Sequence, residues 1–206
     1  MADDIVIVDY GLANLRSVQK AFETIDVPAV ISSDPSRIAS ADKIVLPGVG
    51  AFRDAIARLH ESGLAGTIRT QLDGGVPFLG ICLGYQLLFD RSHEDGVYDG
   101  LGIFPGEVVA FAPQPGLKIP HMGWNTLDLT RPECPLFAGL PPEPSFYFVH
   151  SYYPNITDSR LVAATADYPT PFPAVVWKSN IFATQFHPEK SQANGLRLLQ
   201  NFAELR

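Results

Sequence analysis

Cysteine, methionine and tryptophan each occur only twice in the 206 residues. Two cysteines cannot staple a disulfide framework or furnish a cysteine-rich zinc site. Basic residues are also few: 15 Lys and Arg stand against 22 Asp and Glu, a net charge of −7, with no basic cluster. That composition argues against binding to a nucleic-acid backbone. No stretch approaches the ~20 consecutive apolar residues that a membrane span requires. The leading Met1-Ala2-Asp3-Asp4 is acidic and runs straight into Ile5-Val6-Ile7-Val8, whereas a secretory signal begins basic. A soluble protein of a reducing compartment, the cytoplasm, is expected. Hydrophobic residues at 46% and charged residues at 18% are ordinary for a globular chain. Internal repeats and low-complexity tracts are missing, and the length suggests one domain over residues 1–206.

What is present is a rhythm. Ile5–Val8 is a continuous β-branched run of the kind buried on both faces of a parallel sheet. Ala13 to Ile25 has helical spacing, Ala29–Ile31 reads as a strand, and Lys43–Leu46 as another, ended by Pro47-Gly48-Val49-Gly50. Phe52 to Leu72 is mostly helical, with interruptions expected at Gly63 and Gly66. Pro77–Ile81 is a fourth strand, and Tyr85 to Phe89 is expected to open a helix. Alternating strands and helices predict an α/β fold with a mixed, mostly parallel central sheet flanked by helices. The second half offers strand candidates at 108–111, 146–149, 161–164, 174–177 and 181–186, with a tight turn at Ser179-Asn180 and a closing helix from Ala193. These predict additional antiparallel strands.

Gly80-Ile81-Cys82-Leu83-Gly84 lies where the fourth strand gives way to a helix. It is the thiol counterpart of the G-x-S-x-G elbow, whose glycines permit a sharp turn that thrusts the nucleophile outward. The unpaired N–H groups of a helix N-terminus favour a thiolate. A thiolate needs a base, and the base an orienting group. His187 closes an apolar run and is followed by Pro188 and Glu189; if the chain stays extended, His187 and Glu189 project to one side. Gly48-Val49-Gly50 follows a parallel strand, where a glycine-flanked peptide could turn an N–H toward a developing oxyanion, and the Leu83 N–H is the natural second donor. Each segment has a plainer reading: a buried small hydrophobe, a loop histidine, an ordinary βα turn.

Taken together, Gly80-Ile81-Cys82-Leu83-Gly84-Tyr85-Gln86-Leu87 and Gln185-Phe186-His187-Pro188-Glu189-Lys190-Ser191 closely resemble the class I glutamine amidotransferases. Pro47-Gly48-Val49-Gly50-Ala51-Phe52, Pro120-His121-Met122-Gly123-Trp124-Asn125 and Tyr147–Tyr153 resemble one branch, the HisH glutaminase subunits of imidazole glycerol phosphate synthase. Tyr85 departs from the methionine usual at that position and bears on pocket shape. The resemblance implies that Cys82, His187 and Glu189 form a triad releasing ammonia from L-glutamine through a γ-glutamyl thioester. It implies an oxyanion hole from Gly48, Val49, Gly50 and Leu83, and a substrate contact at Gln86. It implies no metal and no organic cofactor. The ammonia would pass to a separate (β/α)8 cyclase subunit in a heterodimer, docked through Asn14, Trp124, Asn125 and Lys190. Alternative readings of Asn14 as a helix cap and Trp124 as a core aromatic stay open. So do a glutaminase of another synthase (anthranilate or pyridoxal phosphate type), a stand-alone cysteine peptidase or γ-glutamyl hydrolase, and a regulatory domain without turnover.

Overall fold

The computed structural model describes residues 4–205; Met1-Ala2-Asp3, part of the acidic lead-in, and Arg206 lie outside it. The first half runs β1 (Ile5–Val8), α1 (Leu15–Thr24), β2 (Ala29–Ser32), α2 (Pro35–Ala39), β3 (Lys43–Gly48), α3 (Phe52–Glu61), α4 (Leu64–Asp73), β4 (Phe78–Cys82) and α5 (Leu83–Gln86). The second half adds β5 (Phe89–Ser92), β6 (Tyr98–Asp99), β7 (Phe104–Ala110), β8 (His121–Thr126), β9 (Ser145–His150), β10 (Tyr152–Asn155), β11 (Val162–Asp167), β12 (Pro171–Lys178), β13 (Ile181–Thr184) and α6 (Gln192–Ala203).

A seven-stranded sheet has the order β11-β12-β13-β4-β3-β1-β2. The five strands from β13 to β2 are parallel, and β12 and β11 extend the sheet antiparallel, as expected. Side-chain alternation explains the unbroken apolar runs. Ile5, Ile7 and Val45 pack on one face with Phe22 of α1 and Leu198 of α6, while Val6, Val8, Ile44 and Leu46 pack on the other with α3 and α4. Both faces are covered, so no position in β1 faces water.

Several expectations need correction. Only Gly63, at φ +74°, breaks the second helical stretch; Gly66 lies inside α4. The helix expected over Tyr85–Phe89 is a single turn, Leu83–Gln86, and Phe89 already belongs to β5. The helix is short because the chain passes directly into β5, which pairs with β7 in a separate four-stranded sheet, β10-β7-β5-β6. The strands β8 and β9 form a two-stranded ribbon that pairs His121 with His150.

Candidate active site

The carboxyl ends of neighbouring parallel strands converge, the usual location of sites in such sheets. Gly48 at the end of β3 is in register with Cys82 at the end of β4, and β13 runs beside β4, carrying Gln185 and His187 past its end. Cys82 has φ 54° and ψ −107°, a conformation that costs a non-glycine residue about 1–3 kcal/mol. Close backbone packing holds it there. A Cβ on Gly84 would lie 1.8 Å from the Leu46 carbonyl oxygen, so α5 rests directly on β3. This is the elbow expected from the glycine spacing.

His187 is 2% exposed, and its Nδ1 lies 2.8 Å from Glu189 Oε1. The pairing arises differently from the extended path anticipated. Residues Pro188–Lys190 form a 3₁₀ turn, which proline at its first position suits, and the turn curls the carboxylate back to the imidazole. Ser191 anchors the arrangement: its hydroxyl donates to the His187 carbonyl at 2.6 Å and accepts from the Tyr147 N–H at 2.9 Å. The His187 N–H donates to the Tyr147 carbonyl at 3.0 Å. Burial disfavours protonation of His187, but the Cys82 sulfur and the Glu189 carboxylate outweigh it and raise the imidazole to about 10. Its Nε2 has no hydrogen-bond partner. Cys82 and His187 line one cavity of about 340 Å³, together with Val49, Gly50, Leu83, Gln86, Glu94 and residues of β9 and β10. The other cysteine, Cys134, is a buried thiol pushed up to about 12 by burial.

The sequence model of the family described as "Glutamine amidotransferase class-I" matches residues 6–205. The chain belongs to the class-I glutamine amidotransferases. It is 54% identical to "Imidazole glycerol phosphate synthase subunit HisH" of Syntrophotalea carbinolica, over 98% of this chain and 100% of that one. It is 50% identical to the protein of the same name from Geobacter sulfurreducens, over 98% and 99%. Among solved structures, a chain in "Structure of PurLQS from Thermotoga maritima" superimposes with a TM-score of 0.78 at 18% identity, covering 98% of each chain, and so shares the fold.

The other anticipated residues divide into those that line the cavity and those that do not. Val49 and Gly50 line it, but the Val49 N–H donates to the Leu12 carbonyl at 3.1 Å and must turn before it can serve an oxyanion. Gly48 is buried behind the cavity, where a Cβ would lie 2.4 Å from the Tyr10 hydroxyl. Leu83 opens α5 and lines the cavity. Gln86 is 5% exposed; its amide N–H groups donate to the Tyr152 carbonyl (2.9 Å) and to Gln185 Oε1 (3.1 Å). Tyr85 is fully buried in the core, edge-on to Phe89 and bonded to the Pro173 carbonyl, and does not line the cavity.

Of the candidate docking residues, Trp124 is half exposed and meets the Tyr147 ring edge-on, over which Lys190 also lies. Trp124 is therefore no core aromatic. Asn14 occupies the N-cap position of α1, yet its side chain caps no backbone N–H and accepts from the Ser17 hydroxyl instead. Asn125 turns inward, donating to His121 Nε2 and the Asp167 carbonyl and accepting from the Thr126 N–H.

Ser151 and Tyr152, within the Tyr147–Tyr153 segment, line the cavity, and so does Glu94, which sequence reasoning did not single out. Glu94 also accepts from the Phe52 N–H at the start of α3, at 2.7 Å, and burial raises its carboxyl above the usual range. No local motif marks it. Among the described residues, no helix is long and apolar enough to cross a membrane.

Proposed function

We propose that this chain is a single glutaminase domain, the ammonia-producing subunit of an imidazole glycerol phosphate synthase in the cytoplasm. Its partner is a separate (β/α)8 cyclase. The observation that carries the reading is the strained Cys82 facing one cavity with the His187–Glu189 pair.

Cys82 sulfur attacks the side-chain amide carbon of glutamine, and His187 protonates the departing amine. His187 then takes a proton from water attacking the γ-glutamyl thioester, releasing glutamate. Glu189 fixes the imidazole tautomer and stabilises the imidazolium. Both N–H groups of Gln86 are engaged, so it offers substrate its carbonyl oxygen, an acceptor suited to the α-ammonium group. The Glu94 carboxylate on the same cavity suits that cation too. No step calls for a metal or organic cofactor.

The Leu83 N–H, at the start of α5, supplies one oxyanion donor. The Val49 N–H supplies the second only after leaving the Leu12 carbonyl. One such donor is worth about 3 kcal/mol of barrier, on the order of 10²-fold in rate. The isolated chain should therefore turn over about 100-fold more slowly than the complex with ligand-loaded cyclase. Docking also serves the product. Ammonia released to bulk water near neutral pH takes up a proton and stops being a nucleophile. Trp124 and Lys190, adjoining Tyr147 beside the triad, form the proposed contact surface with Asn14; Asn125, bonded internally, supports it from behind.

The test is Cys82→Ala in complex with the cyclase. Glutamine-dependent product should vanish while the reaction continues on added ammonium salt. Glutamine hydrolysis by the variant, or loss of both activities, would overturn the reading.

A further inference from the structure

Gln185 is wholly buried, its backbone N–H fixed to the Ala174 carbonyl at 2.8 Å. Its side-chain Nε2 lies 3.8 Å from Cys82 Sγ, within range of an N–H···S hydrogen bond. We propose that Gln185 is a further catalytic residue, whose side-chain amide donates to the Cys82 sulfur and holds it in the thiolate form. This rests on the reading of Cys82 as the nucleophile.

Which end of the amide faces the sulfur follows from donor and acceptor bookkeeping. The Tyr152 carbonyl can only accept. Gln86 must therefore present Nε2 to it, at 2.9 Å, and His150 must present Nδ1–H, also at 2.9 Å. The second N–H of Gln86 then needs an acceptor and finds Gln185 Oε1 at 3.1 Å. With Oε1 so engaged, the NH₂ group of Gln185 is left on the sulfur side. The reversed amide would set two donors against each other at Gln86 and an oxygen against sulfur.

The same bookkeeping extends outward. His150 Nε2 accepts from His121 Nδ1 at 3.0 Å, and His121 Nε2 accepts from Asn125 at 3.2 Å. Each ring is thereby held neutral in one tautomer. The thiol has a competing partner, since Cys82 Sγ lies 4.0 Å from the Val149 carbonyl. A carbonyl can bond only the protonated sulfur, whereas an amide N–H favours the anion. Hydrogen bonds to charged groups are the stronger class, so Gln185 tips the balance toward thiolate.

Other titratable groups near the sulfur are His187 beyond β13, His150 at the end of β9 and Tyr10 beyond β1. Tyr152 of β10 and Glu94 beyond β5 line the cavity. All of them remain in Gln185→Leu and in the isosteric Gln185→Glu. The experiment follows alkylation of Cys82 by iodoacetamide against pH in the full chain, with the labelled peptide identified by mass spectrometry. On the acid limb, below the inflection, both variants should lose about tenfold in rate, equivalent to about 1.4 kcal/mol, with the inflection moved up by about one pH unit. Either folded variant retaining the parent profile would overturn the proposal. In the parent protein, the side-chain amide proton resonance of Gln185 should titrate with the thiol and shift in Cys82→Ala. A resonance indifferent to both would overturn the proposal even if neither variant folds. Failure of the underlying reading looks different: Cys82→Ala would still hydrolyse glutamine.

Discussion

Replacing Gly195 by alanine adds one methyl group outside the candidate site, yet it should disable the proposed triad. Gly195 is buried in the first turn of α6, where the helix meets the turn that carries Glu189. A Cβ there would lie 1.9 Å from the Pro188 carbonyl oxygen, about 1.5 Å short of the 3.4 Å at which ordinary contact begins. The obstacle is backbone, so the 3₁₀ turn must move or α6 must lift. Overpacking of this kind costs about 1–3 kcal/mol of stability. Catalysis should suffer more, because an error of about 1 Å in a positioned group can cost ~10²-fold. The matched control is Gly66→Ala, the same chemical change on the exposed face of α4 with nothing within 4 Å of the new Cβ. It should raise stability by about 0.5–1 kcal/mol through helix propensity alone and leave turnover unchanged. Urea unfolding and glutamine hydrolysis with the cyclase present read both quantities. Gly195→Ala with parental kcat would refute the idea that α6 sets the position of the His187–Glu189 pair.

Ser191→Ala leaves the Tyr147 N–H without its acceptor and should cost about 2 kcal/mol in urea unfolding, with kcat lowered more than KM is raised. Unchanged kcat would mean that His187 is held without the hydroxyl. Tyr10→Phe removes a buried hydroxyl that has no partner and should stabilise the fold by about 1 kcal/mol; a loss of that size would contradict the assignment. Stability should peak near pH 6.5. Burial lowers His150 to about 3 and His121 to about 4, so below 6.5 the unfolded chain takes up protons that the folded one refuses, and stability falls with pH. His150 contributes up to about 1.4 kcal/mol per pH unit there. His187, raised to about 10, acts oppositely: above 6.5 the folded chain keeps a proton that the unfolded one releases, and stability falls as pH rises. Melting temperatures from pH 4.5 to 9 test this, and an acid limb equally steep in His121→Asn would refute the buried-histidine account.

What the sequence discloses about this site depends on the range of the interaction. The run Ile5–Val8 announces a strand covered on both faces because its cause, alternation, lies within four residues. The Gly80–Gly84 spacing announces an elbow because the positive φ of Cys82 and the contact at Gly84 are local demands. Even His187 and Glu189 could be paired from their spacing, though the strand geometry assumed for them is a turn. Polar strands are harder. In β5, Asp90 and Arg91 face outward between buried Phe89 and Ser92, and the partner strand β7 lies outside any local window. Hardest are contacts made by main-chain carbonyls. The Val49 N–H is engaged by Leu12, the helix α6 is located by Pro188, and the Gln86–Gln185 pair is oriented by Tyr152. A carbonyl has no side-chain identity, so no residue type reports what it will bind. The candidate reacting groups of the proposed site can therefore be named from residue letters, whereas the bonds that set their orientation follow only from the folded backbone.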